Sequence, residues 1–204
     1  MRIWHIALQE EAEDGPRLAL VHSYSTPHIS KPTLLQVNVE SYHQARKMWK
    51  AFKVMETTLA RMHNPPPRFV YVHRKMDVLC LFGVLPPEKD HAVSRLLMQM
   101  TVEKIENLAV SHSWFREVFL DRENNLFYAK HLDALMTDSK LKVIYIVDSQ
   151  SIEDAGQGDI KMVRDRKQIQ WLRYYRYDFE EQNRNRGWGW TGMLKVRGIR
   201  EDED

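Results

Sequence analysis

Cysteine is nearly absent from this chain. Cys80 is the single one among 204 residues, so no intramolecular disulfide can form and a reducing compartment fits best. It sits in the apolar run Val78, Leu79, Cys80, Leu81, Phe82, the setting of a buried, inert thiol. Long apolar runs are lacking too: no stretch approaches the ~18–20 residues of a membrane span. The start, Met1-Arg2-Ile3-Trp4-His5, soon meets Glu10, Glu11, Glu13 and Asp14, without the apolar segment of a signal peptide. A cytoplasmic protein with no membrane partner is the expectation.

Motifs of cofactor chemistry are also wanting. No Gly-x-x-x-x-Gly-Lys-Ser/Thr loop and no His-Glu-x-x-His is present, which removes the P-loop phosphate cradle and the zinc-protease helix. The Gly-x-Gly-x-x-Gly spacing of Gly187 to Gly192 holds two tryptophans and reads as a pliable aromatic loop. The nine histidines are scattered, and one cysteine gives a zinc site little to work with. A two-histidine phosphoesterase needs two His-x-Ser/Thr elements, and His28-Ile29-Ser30 is the only match. His131 and Asp133, with Asp138 and Asp148, are the ligand types of a metal-dependent nuclease, although carboxylates at element ends are more often caps. The expectation is a non-catalytic protein with no cofactor and no metal. A chain without common motifs is also compatible with a phage or mobile-element origin.

What the chain has, it has unevenly. Residues 1–160 carry 19 Lys and Arg against 20 Asp and Glu, whereas residues 161–200 carry eleven against four, a net of +7. Glu201 to Asp204 then add four negative charges. The formal net charge of +2 hides this division.

Periodicity predicts the elements. Residues 2–9 and 17–24 read as a β-hairpin across the Asp14-Gly15-Pro16 turn, and Thr33 to Val39 as a strand. Ala45, Met48, Phe52, Met55, Leu59 and Met62 recur at helical spacing, giving a helix from Tyr42 to Met62 with Ser41 and Gln44 as its capping box. Pro65 to Pro67 end it. Arg68–Arg74 and Val78–Leu85 read as strands joined tightly at Lys75, Met76 and Asp77, with Phe69 packing into the core. A second long helix runs from Asp90 to about Phe119, a shorter one from Ala129 to Met136, and Leu141 to Val147 is a β-branched strand.

That order suits an α+β fold: a ferredoxin-like (split βαβ) sheet with two long helices, an added N-terminal β-hairpin and a basic aromatic C-terminal arm. Residues 1–150 form the expected core domain and 151–160 a loop or linker. Residues 161–200 are the arm, docked on the core, and 201–204 an acidic disordered tail.

The arm carries the functional signal. Trp171, Tyr174, Tyr175, Tyr177, Trp188 and Trp190 alternate with Arg173, Arg176, Arg184 and Arg186, and residues 168–179 fit either a helical face or strand alternation. Rings stack on unpaired bases at ~1–3 kcal/mol per base while arginines neutralise phosphates. A basic stripe of Arg46, Lys47, Lys50 and Lys53 on the first helix would add phosphate contacts if it lay beside the arm. The expectation is a nucleic-acid-binding protein, single-stranded RNA favoured because stacking needs accessible bases. The same Tyr, Trp and Arg surface also fits a protein-interaction or assembly module, and a metal-dependent nuclease is the third reading.

Overall fold

The computed structural model describes residues 18–22, 38–53, 69–75, 77–81, 89–120, 129–138, 140–147, 160–163 and 169–201. In chain order the elements are β1 (Leu18–His22), α1 (Val39–Met48), β2 (Trp49–Lys53), β3 (Phe69–His73), β4 (Val78–Leu81), α2 (Lys89–Glu103) and β5 (Asn107–Ser111). There follow α3 (His112–Trp114), which runs into a π-helical turn (Phe115–Leu120), then α4 (Ala129–Asp138), β6 (Val143–Val147), β7 (Ile160–Val163), α5 (Ile169–Asn185) and β8 (Met193–Glu201).

Strands β4, β5 and β6 are apolar almost throughout, the pattern of strands covered on both faces, and such strands belong in a parallel sheet. They pair accordingly. One sheet has the order β1-β4-β5-β6-β8-β7, in which the first five strands are parallel and β7 closes the edge antiparallel to β8. A separate two-stranded antiparallel ribbon joins β2 to β3.

The parallel strands lie side by side in their chain order. With right-handed crossovers, such a progression carries every connecting helix to the same face. The burial agrees. Leu79, Leu108 and Ile144 align across β4, β5 and β6, as do Leu81, Val110 and Ile146, and all six are buried in one core. Over them lie Val93, Leu97 and Met100 of α2, Phe115 and Phe119 of the π-helical turn, Leu132 and Leu135 of α4, and Tyr175 and Phe179 of α5. Each such side chain contributes roughly 1.5–3 kcal/mol of burial.

This mixed α/β architecture corrects the ferredoxin-like expectation, whose sheet would be antiparallel. Two strands account for the difference. Asn107–Ser111 was expected inside a helix from Asp90 to Phe119, but that helix stops at Glu103. Lys104 takes the left-handed conformation (φ 55°). Its N–H donates to the Thr101 carbonyl and that of Ile105 to the Met100 carbonyl, the Schellman termination normally given to glycine. Met193–Glu201, expected as part of an arm, is a strand paired with β6 over five residues and with β7 on its other side.

The N-terminal half differs in detail. Residues 2–9 of the expected hairpin lie outside the described residues, and β1 pairs parallel with β4. Val39, the end of an expected strand, opens α1 instead. The capping box of α1 is Asn38 with Ser41: the Ser41 N–H donates to Asn38 Oδ1 at 2.8 Å and the Asn38 N–H to Ser41 Oγ at 3.1 Å. The expected helix from Tyr42 to Met62 ends at Met48, and the chain passes directly into β2; residues 54–62 are outside the description. β3 and β4 meet at the expected turn, where the His73 N–H donates to buried Asp77 Oδ2, but they enter different sheets. Val70 and Val72 of β3 are buried, whereas Phe69, expected in the core, is 47% exposed.

Candidate nucleic-acid interface

Residues 169–185 form a helix. Tyr175, Phe179 and Gln182 follow one another at helical spacing and are buried. Tyr175 lies edge-on to Phe115 at 5.6 Å, Phe179 packs on Phe115 at 5.7 Å, and the Gln182 amide donates to the Leu120 carbonyl. The π-helical turn is therefore what this face of α5 rests on. The opposite face carries Arg173, Tyr174, Arg176, Tyr177 and Arg184, all exposed, with Tyr174 at 63% and Tyr177 at 66%. Arg176 Nε is ion-paired with Glu180 Oε1 at 2.7 Å, an i,i+4 pair along the helix, and no ion pair engages Arg173 or Arg184 among the described residues.

Beyond α5 the chain turns at Gly187 (φ 64°). The Gly187 N–H donates to the Arg184 carbonyl and that of Trp188 to the Asn183 carbonyl, a Schellman motif that needs a residue without Cβ strain. Both tryptophans of the following loop are committed to packing. Trp188 is 4% exposed, its Nε1–H donates to Asp133 Oδ1 at 2.6 Å, and its ring meets Phe179. Arg186 shares the same carboxylate oxygen at 3.3 Å and lies over the Trp188 ring. Trp190 packs edge-on against Phe179 at 5.3 Å, and its Nε1–H donates to the Leu141 carbonyl. The loop lines an open cleft of about 380 Å³ with Lys142 and Met193, and both indole N–H groups in it are already bonded to protein.

Of the residues singled out from the sequence, then, Tyr174, Tyr177, Arg173 and Arg184 stand together on an open helix face with Arg176. Tyr175 and Trp188 are buried, Trp190 is half-buried, and Arg186 is held by Asp133. The side chains of Trp171 and Lys53 lie outside the described residues. Arg46 and Lys47 are exposed on α1, but Lys50 is ion-paired with Glu103 of α2 at 3.0 Å. α1 packs on β2 and β3 meets β1, whereas α5 packs on the π-helical turn and β8, at the other end of the sheet. The two basic stripes do not form one groove.

A third basic feature escaped the sequence reading. On the sheet face opposite the helices, Lys195 of β8 is the register partner of Tyr145 of β6. Lys195 Nζ lies 5.6 Å and Arg197 Cζ 6.0 Å from the Tyr145 ring centroid. The sequence signal was the alternation of Leu194 and Val196 with Lys195 and Arg197, which marks a strand buried on one face only.

Among the described residues no group of three His, Cys, Asp or Glu could hold a metal ion; Asp148 is outside them, and Asp133 is occupied by Trp188 and Arg186. No described helix is long and apolar enough to cross a membrane. Compared with known proteins, the chain matches no family model, no curated protein and no solved structure.

Proposed function

We propose that the protein binds nucleic acid without acting on it chemically, single-stranded RNA in preference to duplex DNA, through the outer face of α5. One observation carries the reading: Arg173, Tyr174, Tyr177 and Arg184 are all exposed on that face while the aromatic face behind them is buried. Tyrosines three residues apart on a helix are neighbours, so Tyr174 and Tyr177 offer adjacent rings to unpaired bases, with a guanidinium at either end for phosphate.

A second reading, a protein-interaction surface, draws on the Arg176–Glu180 ion pair, which brings acid onto the same face and gives the mixed-sign, Tyr- and Arg-rich character of binding hot spots. Salt separates the two. Fluorescence anisotropy of the full chain with single-stranded RNA, single-stranded DNA and duplex DNA at two ionic strengths tests the first. Tyr174→Ala and Tyr177→Ala each weaken RNA binding about tenfold, and Arg173→Ala or Arg184→Ala each reduces the salt slope by about 0.7. Absence of binding at low salt refutes the nucleic-acid reading. Full-length variants are required, because a chain ending at residue 160 would lose β8 from within the sheet.

A further inference from the structure

We propose a phosphate-binding site between β6 and β8, on the sheet face opposite the helices, formed by Lys195, Arg197 and Tyr145. It goes beyond the α5 reading, since it faces away from that helix and shares no residue with it.

Lys195 and Arg197 are two apart on one strand, so they project from the same face about 7 Å apart along it. Both are half-buried, and both lie against one ring, the only described ring that carries two cations. Four other basic side chains are held by carboxylates: Lys50 by Glu103, Lys142 by Glu106, Arg176 by Glu180 and Arg186 by Asp133. No ion pair engages Lys195 or Arg197 among the described residues, and the one bond from the Arg197 guanidinium is to the Val196 carbonyl. Two like charges are thus brought together by the electron-rich face of a tyrosine, with no carboxylate paired to either among the described residues.

That arrangement suits a phosphate. A dianion matches two cations, its oxygens accept from guanidinium and ammonium together, and such bonds are the strong, charge-assisted kind. The ring holds two long, otherwise mobile side chains in place before the ligand arrives, which lowers the ordering cost of binding. Beside it, Met193 is 54% exposed at the start of β8, so β8 is accessible at this end. The phosphate can belong to a small phosphorylated molecule or to a nucleic-acid backbone; the chemistry recognised is the same.

The test is a titration of the isotope-labelled full chain with inorganic phosphate at constant ionic strength, followed by the amide signals of β6 and β8. Saturable shifts there, weakened about tenfold by Lys195→Met or Arg197→Met with an unchanged melting temperature, are the expected result. Tyr174→Ala/Tyr177→Ala leaves phosphate binding intact. Adenosine 5′-monophosphate and decauridylate then compete for the bound phosphate: displacement by the monophosphate alone assigns the site to a small ligand, and displacement by both assigns it to a strand. Non-saturating shifts, or shifts that persist in the Lys195→Met/Arg197→Met double variant, overturn the proposal. Because RNA affinity is read separately on the α5 variants, either site can fail without the other.

Discussion

Replacing Trp188 with alanine separates a packing anchor from a stacking residue. Trp188 is 4% exposed, touches Phe179, lies under the Arg186 guanidinium and donates to Asp133 at 2.6 Å. Deleting a buried ring of this size costs ~3–5 kcal/mol. The bond to Asp133 belongs to that total at the low end of the ~1.5–3 kcal/mol of charged hydrogen bonds, because the carboxylate is 47% exposed. Trp188→Phe keeps the ring contact and loses the bond, so it costs about 1–2 kcal/mol. Against a total stability of ~5–15 kcal/mol and a urea slope near 2–3 kcal/mol per molar, the midpoint falls by about 1–2 M for Trp188→Ala and by less than about 1 M for Trp188→Phe. Tyr177→Ala, on the exposed face, stays within about 0.5 kcal/mol of the parent. The reasoning is refuted if Trp188→Ala leaves the urea midpoint unchanged while abolishing RNA binding, for then the ring serves a ligand and not the core.

Three further outcomes are expected. Gly192→Ala destabilises by more than about 2 kcal/mol, since a Cβ there runs into the Trp190 ring and the Lys142 carbonyl; thermal melting reads it. Lys104→Gly raises stability by about 0.5–1 kcal/mol because it relieves a lysine at φ 55°, and a lower urea midpoint would contradict the termination described for α2. Asn38→Ala removes the capping box of α1 and costs about 1 kcal/mol, whereas Asn38→Ser, which restores the acceptor, recovers most of it in the same denaturation assay.

Elements bounded by visible punctuation were legible in the sequence. β6 was expected over Leu141–Val147 and runs over Val143–Val147; α4 was expected over Ala129–Met136 and runs to Asp138. Where punctuation was missing, periodicity misled. Lys104 performs a glycine's task, so nothing marked the end of α2, and Leu108 and Ala109 continued its apolar stripe into β5. Phe52 falls seven residues after Ala45, a spacing that a helix and a helix-to-strand passage both satisfy. The aromatic segment posed a different problem. Its composition located the segment without deciding between helix and strand, and only the burial of Tyr175 and Phe179 against the π-helical turn separates rings that pack from rings that face outward. Tyr145 and Lys195, fifty residues apart, are joined by register alone.

The interior position of β8 has a consequence for how the chain assembles. β6 and β7 both leave the ribosome before the strand that joins them, so β6 waits with a row of unpaired backbone groups and with Ile144 and Ile146 on its apolar face. Such an edge invites pairing with another chain. The interval between synthesis of β6 and synthesis of β8 is therefore the period of greatest exposure to misassembly, and refolding from denaturant at rising protein concentration should lose yield at the step where β8 is inserted.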